Sequence, residues 1–135
     1  MLRPAPFCVV AVLVTVTACE RPGDPARARA FASRVLKGAL AYPRSTVVSI
    51  SAGEDAAEVA LTTGAAPQNV ATWYRQALVL NGWELKSDVV ERDSTITIYA
   101  EKEKRPLWVR LRANAAGLGT TYRVIGAIVP GDSVR

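Results

Sequence analysis

The chain contains no histidine, two cysteines and a single methionine among its 135 residues. Without histidine it lacks the commonest general base and the commonest neutral metal ligand, which excludes Ser-His and Cys-His catalysis and the usual zinc and haem sites. Glycine-rich phosphate loops are missing too. Gly117 and Gly119 are followed by Thr120 and a β-rich stretch, with no Lys-Ser or Lys-Thr pair and no helix to receive a phosphate, so they read as a hairpin turn. Long apolar runs are also scarce. Phe7 to Ala18 has 12 residues, interrupted by Thr15 and Thr17; twelve helical residues rise only about 18 Å, against a hydrocarbon core of about 30 Å.

Carboxylate pairs can serve hydrolysis, but Glu54, Asp55 and Glu58 fall at an expected hairpin tip, where nothing desolvates them to raise a pKa. The Glu101, Lys102, Glu103, Lys104 alternation reads as solvation and edge protection at a turn. No catalytic residues, metal site or cofactor are expected, and the chain is read as not an enzyme.

What is present begins with Arg3, a short Pro4 to Pro6 spacer and the apolar run, the layout of a signal peptide. The run ends in Val16, Thr17, Ala18 and Cys19, which resembles the lipobox of bacterial lipoproteins: a branched apolar residue, two small ones, then cysteine. The resemblance implies cleavage before Cys19, a diacylglycerol on its thiol and acylation, palmitate included, of the new amino group. It implies residues 1–18 as signal peptide, 19–23 as a lipidated tether and 24–135 as the folded part, held on a membrane through Cys19 and lying outside the cytoplasm. Glu20 follows the cysteine where an Asp marks inner-membrane retention in Gram-negative relatives, so the resemblance points to the outer membrane, facing the periplasm. A soluble secreted protein cut near Ala18 is the alternative. Two or three acyl chains would hold far more firmly than the marginal grip of one.

Removing the leader also removes Cys8, so a disulfide within the remaining 117 residues is excluded and stability must come from packing. Only Arg3 of the 17 basic residues is lost and none of the 12 acids, which leaves a net charge of +4. Such a charge favours anionic surfaces without choosing among them. The length suits one domain.

Asp24 and Pro25 form a helix start, and Ala28, Phe31, Ala32, Val35, Leu36, Ala39 and Leu40 recur at helical spacing, so a basic amphipathic helix is predicted over 24–41, ending before Pro43. Two readings stand for it: lying on anionic headgroups beside the anchor, or packed on the domain. Thr46 to Ser51 and Ala57 to Thr63 read as a hairpin. Pro67 opens a second helix with Val70, Trp73, Tyr74, Ala77 and Leu78 on its apolar face, and Asn81-Gly82 stop it. Strands are predicted over 83–92, 95–102, 106–114 and 120–129, joined by short antiparallel turns. The order α-β-β-α-β-β-β-β makes an α+β fold: an antiparallel sheet with one helix packed on a face and an additional N-terminal amphipathic helix. The stretch Val59 to Glu84 is similar to a module of small bacterial lipoproteins of uncharacterised activity, a structural likeness that carries no functional residue.

Pairing 95–102 with 106–114 about their tight turn sets Ile96 against Leu111, Ile98 against Val109 and Ala100 against Leu107 as core. The other face then pairs Tyr99 with Trp108 and Thr97 with Arg110, and the last strand brings Arg123 beside Arg110 and Ile125 beside Trp108. Tyr99, Trp108, Arg110 and Arg123 are therefore the candidate binding face, for an anionic or ring-bearing ligand. Alternatively the first helix covers part of that face through Phe31, Val35 and Leu36, and the arginines reach water. Facing arginines need solvent, acids from the first helix or an anionic partner.

These readings make a lipid-anchored cell-envelope protein, a non-enzymatic binding or assembly module for an envelope protein or anionic ligand, with nucleic acid not expected. The alternatives are a histidine- and cysteine-free envelope enzyme, or a structural component of an envelope complex that pairs through the last strand as an open edge.

Overall fold

The computed structural model describes residues 25–128; Cys19, the leader, the tether and the chain beyond Ile128 lie outside the described residues. The elements follow in the expected order: α1 (Pro25–Val35), β1 (Thr46–Ala52), β2 (Ala56–Thr63), α2 (Pro67–Leu80), β3 (Glu84–Val90), β4 (Ile96–Lys102), β5 (Arg105–Ala113) and β6 (Thr120–Ala127). The fold is α+β. Six strands form one sheet in the order β1-β2-β6-β5-β4-β3, and each neighbouring pair is antiparallel.

The expected pairs Ile96 with Leu111, Ile98 with Val109, Ala100 with Leu107, Tyr99 with Trp108 and Arg110 with Arg123 are all present. Alternation of side chains then divides the sheet. Ile98, Ala100, Val109, Leu111 and Tyr122 point to the inner face and are fully buried. Tyr99, Trp108, Arg110, Arg112 and Arg123 point to the outer face.

The last strand is not the open edge that chain order suggests. It inserts between β2 and β5, with Val124 paired to Val59 on one side and to Val109 on the other. Thr120, Tyr122, Val124 and Gly126 are buried in alternation, on the face against which the helices pack. The edges are β1 and β3.

The first helix is shorter than its apolar spacing suggests. It stops at Val35; Leu36 still bonds back to the Ala32 carbonyl at 2.8 Å, but Gly38 takes a left-handed φ of 81° and the chain leaves the helix. Residues 36–45 continue as a strap across the inner face. Aromatic side chains hold its backbone: the Tyr74 hydroxyl donates to the Leu40 carbonyl at 2.7 Å, and Trp83 Nε1 donates to the Gly38 carbonyl at 3.3 Å. Tyr122 Oη accepts from the Tyr42 N–H at 3.1 Å and donates to Ser45 Oγ at 2.6 Å. These bonds satisfy the hydroxyls and the strap together, so neither phenol is an orphan in the core. Burial pushes the Tyr74 phenol far above its ordinary pKa.

Both helices lie on the inner face. α2 covers β3, β4 and β5, while α1 sits against β1, β2 and β6. The α2 side is densely filled: Val70, Ala71, Tyr74 and Leu78 are fully buried, and Trp73 meets Tyr74 edge-on at 4.9 Å. Each fully buried Leu or Val there contributes roughly 1.5–3 kcal/mol of transfer free energy. The α1 side is thin. Its cluster is Ala32, Val35 and Ala57, with Phe31, Leu36 and Ile50 half-buried around it. α1 reaches the sheet only because position 126 is glycine: a Cβ there would lie 2.8 Å from Val35 Cγ1, 2.9 Å from Leu36 Cδ2 and 3.1 Å from the Val35 carbonyl oxygen.

Candidate functional site

The thin packing under α1 leaves a cleft of about 390 Å³ on the inner face. Ala32 of α1 and Leu36, Ala39 and Leu40 of the strap form one wall; Val47 and Ile50 of β1, with Val59, Leu61 and Val124, form the other. The lining is mostly aliphatic, with Ser33 and Arg29 as its polar side chains. A concave, largely apolar space of this size with a few polar groups is what small-molecule sites share. The aromatic hydroxyls that pin the strap fix one wall, whereas the α1 wall rests on three small buried side chains.

The sequence pointed to the outer face instead, and the structure assembles the residues it named. Tyr99, Trp108, Arg110 and Arg123 share that face through consecutive pairings across β4, β5 and β6. Neither helix covers it: Val35 and Leu36, expected there as a cover, pack against Gly126 on the inner face. Tyr99 and Trp108 stack on one another, with ring centroids 5.0 Å apart and planes at 21°. Each ring therefore spends one face on its neighbour and presents only the other. The Tyr99 hydroxyl donates to Glu101 Oε1 at 2.5 Å, and that carboxylate raises the phenol's pKa above its ordinary value.

The arginines have carboxylate partners, and these come from the sheet and its turns rather than from α1. Arg110 meets Glu91 at 3.4 Å, Arg112 meets Asp93 at 3.5 Å and Arg123 meets Glu58 at 3.6 Å. Glu58, expected at an exposed hairpin tip, is instead half-buried on β2. Asp93 also accepts from the Thr95 backbone N–H at 3.1 Å, the leading cause of its lowered pKa. Among the described residues no group of three or more Asp, Glu, His or Cys side chains could hold a metal ion, and no helix is long and apolar enough to cross a membrane.

Sequence reasoning missed Arg112 and the cleft. Arg112 was legible: it lies two residues from Arg110 on the same strand, and therefore on the same face. The cleft was not, because its two walls are brought together by the pairing of β2 with β6 and by the turn at Gly38.

A family model described as START domain-like matches residues 44–117, from the end of the strap to the turn after β5. No curated protein and no solved structure matches the chain.

Proposed function

The chain belongs to the START domain-like family, and from that premise we propose that it is a non-enzymatic binding module, lipid-anchored through Cys19 outside the cytoplasm, which takes an apolar ligand into the cleft beneath α1. The observation that carries this reading is the aliphatic cleft of about 390 Å³ between α1, the strap and the sheet. The cleft is open to solvent and keeps aliphatic surface in water, which an apolar occupant would remove from it. Arg29 and Ser33 are its polar lining and would face the wetter end of an amphiphile. The anchor rests on the Val16 to Cys19 motif and the short apolar run before it.

The cleft is tested with a fluorescent acyl probe titrated into the mature chain carrying Cys19→Ser. Saturable binding is expected, falling about tenfold or more when Ala39→Phe fills the cleft with a buried ring, at unchanged far-UV dichroism. Equal binding by both proteins would sink the ligand reading. The anchor is tested separately by the intact mass of membrane-fraction protein. A mass for Cys19 to Arg135 plus acyl chains, with salt-resistant attachment lost in Cys19→Ser, is the expected result; an unmodified soluble form overturns it.

A further inference from the structure

We infer that the outer face carries a second site, a concavity at the β5–β6 turn that binds a phosphate or similarly multivalent oxyanion through Arg110, Arg112 and Arg123. It lies on the opposite side of the sheet from the cleft and stands whether or not the cleft binds an apolar ligand.

Strand register gathers the three arginines. Arg110 and Arg123 are direct cross-strand partners, and Arg112 follows Arg110 on the same face, opposite Thr121. They line a concavity of about 600 Å³ whose one carboxylate is Asp93. The acids that pair with Arg110 and Arg123 stand to either side, Glu91 beyond β3 and Glu58 on β2. The centre of the face is thus basic and its flanks acidic.

The existing ion pairs do not use up the guanidinium groups. Their N to O separations of 3.4, 3.5 and 3.6 Å are long for charge-assisted contacts, which close to about 2.7–2.9 Å. The side chains of Arg110, Arg112 and Arg123 are 49%, 69% and 60% exposed, so the pairs are loose and water-screened. Two of the acids have other donors: Glu91 Oε1 accepts from the Thr97 hydroxyl at 2.8 Å, and Asp93 accepts from Thr95 N–H at 3.1 Å. Two arginines set directly opposite each other repel. An oxyanion seated between them converts that repulsion into attraction, and several donor forks converge on its oxygens. The polar floor is ordered, since Thr121 Oγ1 donates to Asn114 Oδ1 at 2.6 Å and Asn114 Nδ2 donates to the Leu118 carbonyl at 3.0 Å.

The test uses the mature chain carrying Cys19→Ser, with inorganic phosphate titrated at constant ionic strength against chloride and followed by amide chemical shifts. Saturable shifts centred on β5 and β6 are expected. Arg110→Gln or Arg112→Gln should each weaken binding roughly tenfold, and Asp93→Asn should strengthen it. A second arm measures co-sedimentation with vesicles of anionic phospholipid and of phosphate-free glycolipid. Arginine-dependent binding to the phospholipid vesicles alone supports the site and identifies a headgroup as its source, whereas arginine-dependent binding of inorganic phosphate without vesicle capture supports it for a soluble phosphate. The inference is overturned if neither arm responds beyond chloride, or if the triple Gln variant at 110, 112 and 123 responds as the wild type does. These exposed positions carry no core packing, so the variants should fold.

Discussion

The two helices cover the same face of one sheet, yet they make very different interiors. Under α2 the side chains Val70, Tyr74 and Leu78 are fully buried against Ile98, Val109 and Leu111, and the aromatic contacts run on from Trp73 through Tyr74 to Tyr122. The guanidinium of Arg75 adds a two-pronged ion pair with Asp88 that ties α2 to β3. Under α1 three small side chains are buried and a cleft remains. The difference lies in side-chain volume. Large residues at α2's inward positions fill the space down to the sheet; α1 has Ala28 and Ala32 at two of its four inward positions, and space is left over. One half supplies stability and the other half supplies room.

That division can be broken, and the largest effect should come from the dense half. Leu78→Ala is expected to cost about 2–5 kcal/mol in urea unfolding, since a fully buried leucine leaves a cavity that rigid neighbours cannot close. Val35→Ala, on the thin side, should cost only about 1–2 kcal/mol for its lost methyl groups. Equal losses would show that the two halves are one core. Next comes Gly126→Val, which forces atoms into Val35 and Leu36 and should cost about 1–3 kcal/mol. Its signature is local: faster tryptic cleavage at Arg27, Arg29 and Arg34 while amide exchange in α2 stays slow. Protection lost equally in both helices would contradict it.

The smallest effect is a pH dependence confined to the dense half. Tyr74 is buried with its proton, so its folded pKa lies above the unfolded value of about 10. A group raised in the folded state gives its full stability below the unfolded pKa and loses it as pH rises. Stability should therefore begin to fall around pH 10 on account of this residue, with a slope that approaches roughly 1.4 kcal/mol per pH unit at about pH 11 and above, once the unfolded phenol is ionised. Tyr74→Phe removes that contribution to the slope and also frees the Leu40 carbonyl. An identical alkaline slope in Tyr74→Phe would assign the loss elsewhere.

The sheet was more legible than the site. Alternation in Ile96 to Lys102 and in Pro106 to Ala113, with a three-residue joint between them, fixed register residue by residue, because a slip of one position would expose every buried side chain. This is why Tyr99, Trp108, Arg110 and Arg123 could be placed together in advance. The β2–β6 pairing was not legible: it joins Val59 to Val124 across about half of the chain, and no local pattern selects one distant partner over open water. The apolar spacing of Ala39 and Leu40 likewise continued a helix on paper. Left-handed Gly38 sends them instead along the strap, where they line the cleft. The carboxylate partners of the arginines were hidden for a similar reason, since Glu91 and Asp93 reach the outer face only through the β3–β4 turn.

The two edges of the sheet have a practical consequence for how the protein is handled. Glu84, Lys86 and Asp88 stud β3 with charge, which discourages another strand from docking there. Thr46–Ala52 has no charge and no proline; its safeguards are the irregular register between Val47 and Ser49 and the helix lying against it. α1 is thus also a solubility element. A shortened version beginning after Val35 would keep most of the buried core yet leave a neutral, valine-bearing strand unguarded, and the expected fate of such a fragment at high concentration is aggregation by edge-to-edge pairing.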